Sequence, residues 1–303
     1  MISLKKLALI YNPFSGGRTF KGELDVYAAA LQASGFLVQP FRLDGSMQLS
    51  KFVAQIGHFD MVAVSGGDGT INSVVNELVT CSIDVPLAII PSGTANDFAR
   101  FIGMDVGAQA FADAVSGGNT VLADIGQAND KHFINVCGAG LFTQVSQKVN
   151  ENLKTTLGKL AYYIKSLEEI PNFYPMWVRI TNSKKVQELD IFLFLALNTA
   201  GTGGFPRLAP GASISDGLLD FVAVKACNMV DLGKLFIKIL RQSDFLSDPN
   251  ILYFQDSFVK VELLSLNPNY ETCDIDGERG PKLPVEIHNI SKKIQLVVPR
   301  GFC

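Results

Sequence analysis

Three short stretches hold residues that could do chemistry together. Residues 64–72 read VSGGDGTIN: an apolar run, one carboxylate (Asp68) among Gly66, Gly67 and Gly69, then Thr70 opening a helical pattern through Asn72. Residues 12–17 read NPFSGG, which places Asn12, Pro13, Phe14, Ser15 and Gly16 in a similar setting. Residues 91–100 read PSGTANDFAR and add Thr94 and a second acid, Asp97. Three glycines around an acid are more than a turn needs, because glycine weakens a strand and a helix start alike. Glycine-rich strand-to-helix loops cradle phosphate, since backbone N–H groups and the helix N-terminus both favour an anion. On its own NPFSGG is also an ordinary turn, and Thr94 or Asn96 could simply cap a helix. None of the three fits GxxxxGKS or GxGxxG, so the P-loop and Rossmann fingerprints are missing.

A second acidic stretch, CDIDGERG, spaces Asp274, Asp276 and Glu278 at i, i+2 and i+4. Those carboxylates share a face if the segment is extended. In GASISDGLLDF, Asp216-Gly217 reads as turn chemistry ahead of the strand LLDFVAV.

The elements that must position these residues come in two textures. Up to about residue 124, strand-like runs (KLALIYN, FLVQPFRL, MVAVSGG, PLAIIPSGT) alternate with helical ones (KGELDVYAAALQASG, TINSVVNELV, AQAFADAVSGG). Such alternation predicts a mostly parallel α/β sheet, with ligands outside the carboxyl ends of its strands. Pro40 marks FLVQPFRL as an edge. From residue 125 to about 295, short β-rich runs follow one another between turns, which predicts an antiparallel sandwich. Helical patterns interrupt it at roughly 143–169 and at MVDLGKLFIKILRQ. The last residues, about 296–303, are expected to pack back on the first domain.

The 303 residues are 48% hydrophobic and 18% charged, with a formal net charge of −3. That composition fits a folded chain of two domains and gives no support for a nucleic-acid binder. Five cysteines (Cys81, Cys137, Cys227, Cys273, Cys303) stand singly, the pattern of reduced thiols and not of a disulfide framework or zinc site. The longest central apolar run, IFLFLAL, is far short of a membrane span.

NPFSGG, GGDGTIN and PSGTANDFAR, in this order and at these separations, resemble the diacylglycerol kinase catalytic domain, and the chain is similar to the soluble bacterial diacylglycerol kinases, relatives of the sphingosine kinases. GKLAYYIKS, SISDGLLDF, DPNILYFQ and DIDGERGPKLP extend the resemblance nearly end to end. The GGDGT loop alone is shared with NAD kinases and phosphofructokinases, which lack the later motifs. The resemblance implies an α/β ATP-binding domain followed by a β-sandwich lipid domain. It places residues 12–16 and 66–73 on the nucleotide-phosphate loops and Thr94 on the adenosine-contacting loop. Asp68 and Asp97 serve a catalytic Mg²⁺, Asp68 through water. The DGE motif supplies a catalytic base, Glu278 or Asp276. Ser213, Asp216 and Leu218 hold a structural Mg²⁺, and Lys165 stands at the active-site entrance. Where relatives carry a lysine after NPxSG this chain has Gly17, followed by Arg18, which could substitute. A polar nucleotide contact after the second strand would have to come from Arg42, Asp44 or Ser46.

The expected reaction is ATP- and Mg²⁺-dependent phosphorylation of the free hydroxyl of diacylglycerol, at the cytoplasmic face of the membrane. Between Lys148 and Lys185, seven basic residues against three acidic ones interleave with aromatics, a pattern suited to anionic lipid. A kinase for phosphatidylglycerol or a sphingoid base, and a lipid-binding module without catalysis, remain as alternatives. Edge strands in the β-rich part leave a homodimer open.

Overall fold

The computed structural model describes residues 4–17, 20–43, 49–140, 174–205, 207–265 and 271–302. They fall into two compact units: residues 1–125, 214–216 and 290–303 form the first, residues 126–213 and 217–289 the second.

In the first unit β1 (Lys5–Tyr11), β2 (Phe36–Arg42), β3 (Met61–Gly66) and β4 (Leu87–Pro91) pair in parallel in the order β2-β1-β3-β4. Leu7 to Ile10 and every residue of β3 are buried. This is why those strands read as continuous apolar runs: a parallel sheet is covered on both faces. The cover comes from α1 (Phe20–Ala33), α2 (Leu49–Ile56), α3 (Asp68–Thr80), the single-turn α4 (Asp97–Phe101) and α5 (Ala108–Gly117). In α1 the buried Phe20, Tyr27 and Leu31 recur at helical spacing. Among the described residues β2 pairs only with β1, as Pro40 predicts, since proline cannot donate to a second ladder. Three features were not legible, α2 among them. α3 starts at Asp68, two residues before the apolar pattern shows it, and β5 (Thr120–Ala128) was not anticipated.

The second unit pairs antiparallel throughout: β6 (Lys131–Phe133), β7 (Val136–Gly140), β8 (Met176–Asn182), β9 (Val186–Leu197), β10 (Leu219–Lys225), β11 (Ile251–Asp256), β12 (Phe258–Leu263), β13 (Thr272–Ile275), β14 (Glu278–Lys282) and the first part of β15 (Val285–Val297). The long β9 pairs with β8 over Val186–Ile191 and with β7 over Leu193–Leu197. Its neighbour β10 is buried on both faces. Leu219, Phe221 and Ala223 face the cluster of Phe194, Val259 and Ile287. Val222 and Val224 face a second cluster with Leu235 and Phe245. Leu235 belongs to α6 (Met229–Leu240), which therefore covers the outer face of β9 and β10; Phe205 and Phe236 meet edge-on there at 6.2 Å. β15 leaves this unit at Asn289 and continues into the first, where Leu296 pairs in parallel with Leu87 of β4. Thus the runs VEIHNI and KIQLVVP are one strand, not two. The helical pattern at 143–169 lies outside the described residues.

Candidate functional site

Because β1, β3 and β4 are parallel neighbours, the loops after Tyr11, Gly66 and Pro91 leave the same edge of the sheet. They are knitted together. The Asn12 N–H donates to the Ser65 carbonyl at 2.9 Å, and Asn12 Nδ2 donates to Thr70 Oγ1 at 3.0 Å. Asn12 Oδ1 accepts the Phe14 N–H at 3.0 Å, while the Gly67 N–H reaches Ser15 Oγ at 3.4 Å. The Ser92 N–H donates to the Gly66 carbonyl at 3.0 Å, and Ser65 Oγ donates to Ser92 Oγ at 3.1 Å. Asn96 closes its own loop, accepting from the Gly93 N–H at 2.7 Å and donating to the Gly93 carbonyl at 3.0 Å. Backbone lies against backbone here. A Cβ on Gly93 would sit 2.4 Å from Gly67 Cα, and one on Gly16 (φ +49°) 2.5 Å from the Ser92 carbonyl oxygen. Close approach of three chains, and not turn geometry alone, accounts for the glycines.

Of the expected nucleotide residues, Asn12, Ser15, Gly16, Gly66, Gly67 and Thr70 lie within this cluster. Gly69 stands in the first turn of α3, where helix N–H groups have no intrahelical acceptor. Thr94 is exposed on its loop. Asn72 is buried in α3, its Oδ1 taking the Asn76 amide at 2.9 Å. The Arg42 guanidinium lies 5.5 Å from the centre of the Phe14 ring, so β2 brings a cation to the first loop. Arg18, Asp44 and Ser46 lie outside the described residues, as do Lys165 and the basic-aromatic stretch up to residue 173.

Asp68 is the first residue of α3, and its Oδ1 accepts the Phe98 N–H of α4 at 3.3 Å. The plainer alternative, capping of α4 by Thr94 or Asn96, therefore does not hold. Asn96 holds the cap position in a left-handed conformation (φ 52°) without a side-chain cap bond, and the acceptor comes from Asp68 on a neighbouring loop. Burial, and next the charge of Asp97, push the Asp68 carboxyl above its ordinary 3.8; its backbone hydrogen bonds offset this only in part. Arg100 lies 3.9 Å from Asp97 and 3.6 Å from Asp105. Two neighbouring acids form an all-oxygen set that suits a hard divalent cation. Among the described residues no group of three or more His, Cys, Asp or Glu could hold a metal. Ligands beyond these carboxylates would have to be water, backbone or phosphate oxygens.

The second acidic stretch is built in the opposite sense. Asp276 (φ 51°) and Gly277 (φ 86°) form the two-residue turn joining β13 to β14, with Ile275 opposite Glu278. Two positive φ values mark a type I′ hairpin, which the Asp-Gly pair favours. The three acids accordingly do not share an extended face, contrary to the spacing argument. Asp276 is buried, and its carboxylate accepts the N–H groups of Ile134, Asn135 and Val136 at 2.8, 3.0 and 2.8 Å. Those donors break the run KHFINVCGAG into β6 and β7. Behind them, Asn198 Nδ2 donates to the Ile134 carbonyl at 2.9 Å and Thr199 Oγ1 to Asn135 Oδ1. Asp274 accepts the Gly277 N–H at 2.8 Å, whereas Glu278 is exposed.

Of the expected structural Mg²⁺ ligands, Asp216 is exposed, Ser213 is partly buried, and the Leu218 carbonyl accepts Asn289 Nδ2 at 3.2 Å. A carboxylate with backbone carbonyls fits a hard cation chemically. Asp124, read from sequence only as a boundary, is a missed anchor. Its N–H donates to the Ile214 carbonyl at 2.6 Å and its Oδ1 accepts the Lys292 N–H at 2.7 Å. A lone acid inside the run TVLADIG was the available signal.

Residues 6–128 match the diacylglycerol kinase catalytic domain, and residues 135–298 match the YegS C-terminal NAD kinase β-sandwich-like domain. The diacylglycerol kinase of Bacillus subtilis (strain 168) is 36% identical over 305 residues, covering 98% of this chain and 97% of that one. The chain belongs to the diacylglycerol kinase family. Another member, the diacylglycerol kinase of Staphylococcus carnosus, is 30% identical over 98% of this chain and 96% of its own. A Bacillus anthracis crystal structure superposes with a TM-score of 0.82 at 26% identity, covering 100% of this chain and 98% of that chain. The α/β domain followed by a β-sandwich is therefore the family's architecture, and the chain is a lipid kinase by family.

Proposed function

We propose that this enzyme transfers the γ-phosphoryl group of ATP to the free hydroxyl of diacylglycerol, giving phosphatidic acid. The observation that carries the reading is the triple glycine-loop edge closed around the Asp68–Asp97 pair. Phosphoryl transfer needs positioning and charge neutralisation more than covalent help. The Asn12–Gly16 and Gly66–Thr70 loops and the N-terminus of α3 bind the phosphates, with Thr94 toward the adenosine. Asp68, through water, and Asp97 would hold Mg²⁺, which when bound neutralises charge on the phosphate oxygens. Arg18, next to Gly17, takes the place of the missing loop lysine, and Arg42, 5.5 Å from the centre of the Phe14 ring, supplies the polar nucleotide contact after the second strand. Asp276 positions the hairpin tip, because its carboxylate is already engaged by three N–H donors. Glu278 is the base that accepts the hydroxyl proton, and its exposure leaves it open to a lipid hydroxyl. Asp216, with the carbonyls of Ser213 and Leu218, would hold a second, structural Mg²⁺.

The acceptor lives in a bilayer, and no helix among the described residues is long and apolar enough to cross one. The enzyme works peripherally at the inner membrane face; Lys165, which the family resemblance assigns to the site entrance, lies outside the described residues. Strands β11 and β14, each paired on one side among the described residues, are the edges through which a homodimer would form. The deciding experiment supplies purified protein with labelled ATP, Mg²⁺ and micellar diacylglycerol, phosphatidylglycerol or a sphingoid base. Label in phosphatidic acid is expected. Label in another product reassigns the acceptor, and ATP binding without any labelled lipid sinks the catalytic reading.

A further inference from the structure

Helix α6 carries more apolar surface than its packing uses. At 3.6 residues per turn, Leu232, Leu235, Phe236 and Ile239 form the face that lies on the second core cluster of the β-unit. Met229, Val230, Ile237 and Leu240 form an adjoining face that is left outside, at 53%, 67%, 49% and 42% exposure. Exposed Gly233 lies between them and adds no polar group. Of the 13 large apolar side chains exposed among the described residues, these 4 share one 12-residue helix. Single exposed apolar residues need no explanation, but a row on one helix face does.

The remaining arc is cationic. Residues 229–241 hold Lys234, Lys238 and Arg241 against Asp231, a local charge of +2 on a chain whose total is −3. Lys234 meets Asp231 at 3.0 Å and Lys238 meets Asp248 at 2.7 Å; Asp244 is the other acid close by in sequence. Arg241 and Lys234 follow directly on the exposed apolar arc. Apolar residues bordered by cations, on a helix too short to span, are what an interfacial helix needs to lie in an anionic lipid surface.

The geometry points to α6 as the element that seats this enzyme on anionic bilayers, with Met229, Val230, Ile237 and Leu240 entering the headgroup boundary and Lys234 and Arg241 meeting lipid phosphates. This takes the identity of the surface from the lipid-kinase reading. The test is co-sedimentation of the full chain with vesicles of phosphatidylcholine plus phosphatidylglycerol, or of phosphatidylcholine alone. Val230→Glu/Ile237→Glu should weaken binding to the mixed vesicles about tenfold or more. Lys234→Glu/Arg241→Glu should lower it about tenfold on mixed vesicles and little on phosphatidylcholine. All four positions face solvent, so both variants should keep the wild-type melting temperature and the wild-type rate on a monomerically dispersed short-chain diacylglycerol. Wild-type sedimentation by both variants overturns the assignment. So does light scattering that shows a wild-type dimer made monomeric by the glutamates, which gives this face to a second copy. If the wild type phosphorylates no lipid in any form, the kinase reading falls, while vesicle binding still decides α6.

Discussion

Asp68 and Asp276 are both aspartates next to a glycine in a turn-rich stretch, and the structure treats them in opposite ways. Asp276 is buried with three backbone N–H groups on its carboxylate. Asp68 is partly buried with Asp97 for a neighbour, so its environment disfavours the charge it carries. One carboxylate is satisfied and therefore structural. The other is held in a state that a cation would relieve, which is how sites that await a ligand are built. Residue type and sequence context do not separate these two; their partners in the fold do, three backbone N–H groups on Asp276 and a second carboxylate beside Asp68.

Several substitutions bear on that contrast, beginning with the largest expected effect. Glu278→Gln should lower kcat by about 10²–10⁴-fold and leave the melting temperature unchanged, because the side chain is exposed and only its basicity is lost. A near-normal rate would return the base to Asp276 or to another group. The same amide swap applied to the two aspartates should then split them. Asp276→Asn turns an acceptor into a donor facing backbone N–H groups and should cost about 2–4 kcal/mol in denaturant unfolding. Asp68→Asn keeps an acceptor for the Phe98 N–H and removes a repelled charge. It should lose on the order of 10²–10³ in rate with an unchanged or higher melting temperature in metal-free buffer. Equal destabilisation by both swaps would erase the distinction.

A smaller effect lies in the pH dependence. Folding raises the Asp68 pKa, so the native state holds that proton more tightly than the unfolded chain does. Its contribution is full below the ordinary value of 3.8 and is lost as pH rises through the folded value. Metal-free wild type should therefore lose stability over that window, and Mg²⁺ should restore it at neutral pH. Asp97→Asn, which removes the second cause of the shift, should flatten the slope measured by thermal melts across pH. An identical slope would mean that burial alone sets it. Smallest of all, saturating Mg²⁺ should raise the wild-type melting temperature more than that of Asp216→Ala, since an ion bound only to the native state stabilises it by mass action.

The glycine loops were legible because their spacing carries the pattern, and the parallel sheet because strands covered on both faces read as unbroken apolar runs. The break at Ile134–Asn135 was not legible, since nothing in KHFINVCGAG announces a carboxylate some 140 residues later in the chain. Nor was the α4 cap, where the local candidates Thr94 and Asn96 yield to Asp68. Asp124 escaped for the same reason: its partners, Ile214 and Lys292, come from segments far along the chain. Local propensity misses what long-range polar partners decide.

The passage of β15 from one unit into the other bears on how the protein is born. On the ribosome the strands of the first sheet emerge early, yet the flank of β4 that Leu296 will occupy stays bare until the chain has been made as far as that residue. An N-terminal fragment ending near residue 125 should therefore be sticky and short-lived, and nascent chains should lean on chaperones until Leu296 has emerged.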